Sequence, residues 1–298
     1  MAALLGIGCG EDRVAGLTYP IGRDGQYVLE LDDLIFSVDP AGARITDVHL
    51  HDGANLLTGS TVNPISYGST FWTSPQSGWG WPPPPEIDRA AFQSSVHAAT
   101  LSFGGSIDVA LGARVSKRFT ADVAGSRIDV QYTITAQGPG KMFAPWEITR
   151  VFAGGLTFFP TGVGGPTGGA ALSPPPTQDA AGCTWYQSPG TPAGVDQKLL
   201  ADGAGGWLAH VAGDTVLVKK FADVPAGGAA PGEAEIEIFA QGQGGYVEIE
   251  QQGAYQSFAQ GQSLTWPVTW IVRRLPQGMM ATTGSVELVQ FVESLVKP

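Results

Sequence analysis

Apolar and polar residues alternate along most of this chain with a period of two. QYVLEL (Gln26 to Leu31) and LIFSV (Leu34 to Val38) flank an acidic turn at Asp32-Asp33, and DPAGARITDVHL turns at Asp39-Pro40 and returns toward Leu50. A strand places successive side chains on opposite faces, so each run reads as a β-strand with one face turned to a core. The pattern recurs in SVHAATLSF, IDVALGARVSKRFTA, SRIDVQYTITAQ, MFAPWEITRVF, LTFF, GWLAHVA, TVLVKKFADV, EAEIEIFAQ, YVEIEQQ and SLTWPVTWIVRRL. Helical spacing occurs only at the end. In SVELVQFVESLVK, Val286, Val289, Phe291, Val292, Leu295 and Val296 recur at intervals that predict an amphipathic helix over 285–296.

Two stretches interrupt the alternation, PTGVGGPTGGAALSPPPTQDAAG (Pro160 to Gly182) and PAGGAAPGE (Pro225 to Glu233). The strands on either side share one character, so both stretches read as long crossings at the edge of one sandwich, in a single domain over 24–298. The 42 glycines and 22 prolines among 298 residues agree with many short strands joined by turns. A net charge of -11 disfavours nucleic acid, whose phosphates need Lys and Arg, and leaves a neutral polar ligand such as a mono- or oligosaccharide. With cysteine only at positions 9 and 183, neither a disulfide framework nor a thiolate zinc site is expected.

AALLGIGC, ending at Cys9, is a short apolar run closing on small residues and a cysteine. It resembles the tail of a bacterial lipoprotein signal. The resemblance implies a signal and flexible tether over 1–23, lipidation of Cys9, and an extracytoplasmic place in the periplasm or on the outer membrane.

GSTFWTSPQSGWGWPPPPEID (Gly68 to Asp88) holds Trp72, Trp79 and Trp81 among glycines and prolines. Such rings either plug one end of a core or wall a binding site. Sugars present polar edges and apolar C–H faces, and this loop offers platforms in Trp72, Trp79 and Trp81 with hydrogen-bonders in Ser74, Gln76 and Ser77. Trp146, Trp185, Trp266 and Trp270 fall in strands or at their ends and read as core.

FSVDPAGARITDVHL (Phe36 to Leu50) and YVEIEQQGAYQSFAQGQSLTWPVTWIV (Tyr246 to Val272) resemble the opening hairpin and the closing strands of galactose mutarotase-like proteins. Between them, YGSTFWTSPQSGWGWPPPPEID, APWEITRVFAGGLTFFPTG and GGWLAHVAGDTVLVKKF resemble a bacterial family of unknown function in that superfamily, DUF4380. The resemblance runs from Tyr27 to Pro276. It implies an all-β supersandwich with a short C-terminal helix, a sugar held on one sheet face, and no cofactor. In active mutarotases a Glu takes the anomeric hydroxyl proton while a His protonates the ring oxygen. Glu250 is the nearest positional match for the base, with Glu248 second on the same strand face.

The acid has no matching histidine. The central strand reads APWEITR and offers Glu147, as a buried protonated acid or a hydroxyl acceptor, and Arg150; alternation places the two on opposite faces. His49 and His51 share a face with Asp47 but lack a third ligand, so no metal site is expected. Lys219 and Lys220 must point to opposite faces, which turns one inward. The candidate set is therefore Glu250 and Glu147 for catalysis, with Trp72, Gln76, Trp79, Trp81, Arg150 and Glu248 for binding. Three functions fit it. They are saccharide recognition with mutarotase or epimerase chemistry, glycan binding or an envelope scaffold without turnover, and lyase or hydrolase action on an acidic polysaccharide.

Overall fold

The computed structural model describes residues 20–168 and 171–297, and its strands form two ten-stranded sheets. In the first, the order is Ile21–Arg23, Gln26–Leu31, Leu34–Asp39, Arg44–Leu50, Ser69–Ser74, Lys141–Val151, Val247–Gln252, Ile236–Ala240 and Gln197–Ala201, with Gln256–Phe258 added beside the start of Lys141–Val151. In the second it is Thr177–Ala180, Cys183–Gln187, Leu156–Pro160, Trp207–Ala212, Thr215–Lys220, Ser263–Arg274, Arg127–Ala136, Ala113–Asp122, Thr100–Asp108 and Gln93–His97. All pairings among these strands are antiparallel.

Alternation explains the inner faces. In Arg127–Ala136 the residues Ile128, Val130, Tyr132, Ile134 and Ala136 are buried while their neighbours are more exposed. One hydrophobic cluster fills the space between the sheets, from Leu29, Phe36, Phe71 and Ile249 of the first to Phe119, Tyr132, Leu217 and Trp270 of the second. The turn at Gly42 depends on its lack of a side chain: φ is +70°, and a Cβ there would lie 1.8 Å from the Asp88 carbonyl oxygen. That contact brings the end of the tryptophan segment against the hairpin of Leu34–Asp39 and Arg44–Leu50.

Val286–Val296 forms the expected helix, one residue shorter at its start because Ser285 is the N-cap, its hydroxyl accepting from Leu288 N at 3.2 Å. Leu288, Val289 and Val292 pack on Phe158, Trp185, Val218 and Ile271, a second cluster on the outer side of the second sheet.

Three expectations need adjustment. Ile21–Arg23 is a strand paired with Gln26–Val28, inside the segment assigned to the tether; Cys9 lies outside the described residues. Ser69–Ser74 is a strand in the interior of the first sheet, so Trp72 is not a loop residue. The Pro160–Gly182 crossing contains the strand Thr177–Ala180, a bridge from Thr167 to Leu200, and the buried Leu172.

Candidate functional site

The strand Lys141–Val151 is buried on both faces from Phe143 onward, unlike a strand with one side in water. Its odd residues Glu147 and Thr149 point into the space between the sheets; Trp146, Ile148 and Arg150 point outward. Register then assembles the outer face. Trp146 is opposite Gln252 and Trp72, Ile148 is opposite Glu250 and Thr70, and Arg150 is opposite Glu248. One strand further, Glu237 is opposite Glu250 and Leu200, with Lys198 beside them on the edge strand.

These side chains form two linked charge groups. Glu250 Oε2 accepts from Trp146 Nε1 at 2.8 Å, and its Oε1 lies 3.8 Å from Lys198 Nζ. Lys198 also pairs with Glu237 Oε2 and stands 5.4 Å from the Trp146 ring centroid. Glu237 Oε1 accepts from Gln252 Nε2 at 2.8 Å and from Ala234 N at 2.9 Å. Burial raises both carboxyls, Glu250 to about 7 and Glu237 well above its ordinary value, and each is opposed by the Lys198 charge. For Lys198, burial alone would lower the ammonium, yet Glu250 and Glu237 outweigh it and the net direction is upward.

In the second group, Arg150 Nε donates to Glu248 Oε1 and Nη1 to Thr70 Oγ1, both at 2.7 Å. Its guanidinium lies 5.1 Å from the Trp72 ring centroid. Trp72 is buried, donates from Nε1 to Asp88 Oδ1 at 2.9 Å, and meets Trp79, Trp81 and Trp146 edge-on at 5.5, 6.1 and 5.5 Å. Trp79 is half-buried with its Nε1 on the Thr73 carbonyl, whereas Trp81 is 57% exposed. Gln76 enters through its backbone N, which donates to Glu233 Oε1 at 2.9 Å and ties the tryptophan segment to the Pro225–Glu233 crossing.

Glu147 belongs elsewhere. It is fully buried on the inner face, where Oε1 accepts from Tyr132 Oη at 2.7 Å and Trp270 Nε1 at 2.9 Å, and Oε2 accepts from Gln251 Nε2. Lys219, the inward member of its lysine pair, places Nζ 3.9 Å from Glu147 Oε2 and bonds to Thr149 Oγ1 and Gln251 Oε1. The expected pairing of Glu147 with Glu250 across one sugar is therefore corrected, because the sheet itself lies between the two carboxyls. Trp146 is a buried core residue as expected, and its indole N–H also serves Glu250.

The outer face has unmet hydrogen-bonding capacity. Among the described residues, Arg150 Nη2, Glu250 Oε1, Gln252 Oε1 and Ser74 Oγ are buried without a hydrogen-bond partner. Buried polar groups are nearly always satisfied, so a cluster of orphans on one face marks a place for water or ligand. Glu237, Glu250 and Arg150 are each 0% exposed, so a ligand reaches them only when a covering group moves.

No protein-family model and no curated protein sequence matches the chain. Solved structures do. The Slr1438 protein from Synechocystis sp. PCC 6803 superposes with a TM-score of 0.59 at 12% identity, over 86% of this chain and 97% of that one. A galactose mutarotase related enzyme from Lactobacillus acidophilus gives 0.58 at 8%, over 86% and 99%. An Escherichia coli K12 protein provisionally named an aldose 1-epimerase gives 0.55 at 12%, over 84% and 99%. The chain has the galactose mutarotase-like fold.

Within this galactose mutarotase-like sandwich, the structure brings together Glu250, Glu248, Arg150 and Trp72, with Trp79 and Trp81 edge-on to Trp72. The alternating pattern does not single out Glu237, Lys198, Trp146 as a hydrogen-bond donor, or Gln252. The signal for Glu237 was present: EIEIF and VEIEQ are adjacent strands with acids in the same parity. No histidine occurs on the strands that carry these groups. His210 is buried in the second sheet against Thr157, its pKa lowered to about 4 by burial.

Proposed function

We propose that the outer face of the first sheet binds a mono- or oligosaccharide, with Glu250, Glu248, Arg150 and Gln252 taking its hydroxyls and Trp72, Trp146 and the exposed Trp81 meeting its apolar faces. The observation that carries this reading is the cluster of buried orphans at Arg150, Glu250 and Gln252 beside two tryptophans. Two carboxyls, an amide and a guanidinium beside flat rings match a ligand with many hydroxyls. The neighbours named as mutarotase or epimerase proteins lend support through the fold. Tryptophan fluorescence titration with a panel of saccharides tests it, Glu250→Gln serving as the site variant. A saturable change weakened in the variant is the expected result, and no response to any sugar overturns it.

One observation favours turnover as well. Glu250, raised to about 7 by burial, is suited to take the proton of an anomeric hydroxyl while water protonates the ring oxygen and the ring opens. Another favours recognition alone: Glu147, the one acid nominated on the central strand, is on the wrong face. Polarimetry of freshly dissolved sugar decides between them, since only turnover accelerates the approach to equilibrium rotation in proportion to protein.

Membership of DUF4380, from the middle motifs, and lipid anchoring at Cys9 at the bacterial envelope complete the proposal. Metabolic labelling with a fatty acid, lost in Cys9→Ala, tests the anchor.

A further inference from the structure

Lys198 sits in an arrangement that recognises ammonium ions. Its Nζ contacts Glu237 Oε2, lies 3.8 Å from Glu250 Oε1, and is 5.4 Å from the Trp146 ring centroid. Two carboxylates and an indole around one ammonium form a cation cage, in which the ring quadrupole and the carboxylates act together. The cage is built rather than incidental. Glu237 and Glu250 are 0% exposed, Trp146 Nε1 fixes Glu250, and Gln252 with Ala234 N fixes Glu237.

Its present occupant fills it incompletely. Glu250 Oε1 has no hydrogen-bond partner, and neither does Gln252 Oε1, whose amide orientation follows from its Nε2 donating to Glu237. The unmet groups at this end of the face are acceptors, and an ammonium supplies three donors. Lys198 is also the member of the cage best placed to leave. It stands on the edge strand Gln197–Ala201, its side chain is 29% exposed, and it borders a cavity of about 220 Å³ shared with Thr167, Leu172 and Gln178.

We propose that the Glu237–Glu250–Trp146 cage selects saccharides bearing a protonated primary amine, which enter by displacing the Lys198 ammonium. This rests on the saccharide reading and names its ligand class. An anionic sugar is disfavoured at the same place, where its carboxylate or phosphate would meet Glu237 and Glu250 at close range. Acetylation of the amine removes both the charge and two of the three donors, so an N-acetylated sugar loses the advantage.

The test compares D-galactosamine, N-acetyl-D-galactosamine, D-galactose and D-galacturonate by fluorescence titration at pH ~7.5, above the value of about 7 to which Glu250 is raised, with the whole chain. For the wild type, galactosamine is expected to bind at least about tenfold tighter than galactose, and galacturonate weakest. Lys198→Met keeps the aliphatic stem and removes the competing ammonium. It is expected to bind galactosamine about tenfold tighter still with galactose little changed, and to gain melting temperature in methylammonium chloride where the wild type does not. Galactose binding that depends on Glu250, with galactosamine no better, overturns the cage and leaves the saccharide reading standing. Loss of galactosamine binding in Lys198→Met does the same, because it makes Lys198 a ligand contact. Failure of every saccharide to bind overturns both. The wild-type ranking requires no variant, so it decides the matter even if Lys198→Met does not fold.

Discussion

Glu237 and Glu250 stand directly opposite each other on neighbouring antiparallel strands, and Lys198 bridges their carboxyls. Facing pairs in a sheet have Cβ atoms about 5 Å apart, close enough for like charges to repel unless a proton or cation intervenes. The trio carries two potential negative charges and one positive charge, and its buried position makes that imbalance felt.

The first prediction concerns pH. Glu250 is raised from 4.5 to about 7 by burial, so between those values the folded protein keeps a proton that the unfolded chain has released. Its contribution to stability is fully present below about pH 4.5, declines as pH rises, and is lost above about 7. The loss is on the order of 3 kcal/mol at most. Glu235, also raised to about 7 by burial, acts in the same direction, while His210, lowered to about 4, acts oppositely between about 4 and its ordinary 6.5. Subtracting the urea-unfolding profile of Glu250→Gln from that of the wild type isolates Glu250; a difference independent of pH from 4 to 8 contradicts the assignment.

Glu147 serves the fold. Replacing it with Gln converts one acceptor oxygen to a donor facing the N–H and O–H groups around it and removes the partner of the buried Lys219, at an expected cost of about 3–5 kcal/mol. Saccharide affinity of the protein that remains folded should be unchanged. Binding lost without loss of stability would return Glu147 to the site.

Arg150 and Lys are not interchangeable here. Arg150→Lys retains charge but cannot reach Glu248 and Thr70 together while stacking on Trp72, and a cost of about 2–3 kcal/mol in chemical denaturation is expected. A variant as stable as the wild type would mean that the fork geometry contributes nothing.

The tryptophans should divide by exposure. Trp81→Ala is expected to change stability by under about 1 kcal/mol and to weaken saccharide binding several-fold. Trp72→Ala leaves a cavity and strips Asp88 of a donor, which should cost about 3–5 kcal/mol. Trp72 is therefore a poor control for binding, and thermal melts of the two variants side by side check the contrast.

Much of this architecture was legible as alternation: the inner faces of Arg127–Ala136 and Ala113–Asp122 read directly, and so did the helix that starts after Ser285. What escaped depended on covering groups distant in sequence. EAEIEIF looks like a strand with its acids in water, and nothing in its period says that Glu237 on Ile236–Ala240 is fully buried. QKLLA and CTWYQ are too short and too weakly patterned to announce strands, and Lys198 was lost with the first. Trp72 was hidden by the glycines and prolines that follow it, although STFWTS itself is ordinary strand sequence. The opposition of Glu147 and Arg150 was readable as parity. Which of them faced the core was not, because that depends on register with strands about 70 and 100 residues away.

The two-sided burial of Lys141–Val151 has a consequence for how this protein can change. Gaining or losing one residue directly after Pro145 would exchange the occupants of its faces, pushing Trp146 and Arg150 toward Tyr132 and Trp270 and bringing Glu147 out against Glu248 and Glu250. Neither compartment could accommodate the other's contents. The length of this strand is therefore constrained by both compartments at once, whereas a point replacement at an even position such as Trp146 or Arg150 alters the outer face alone.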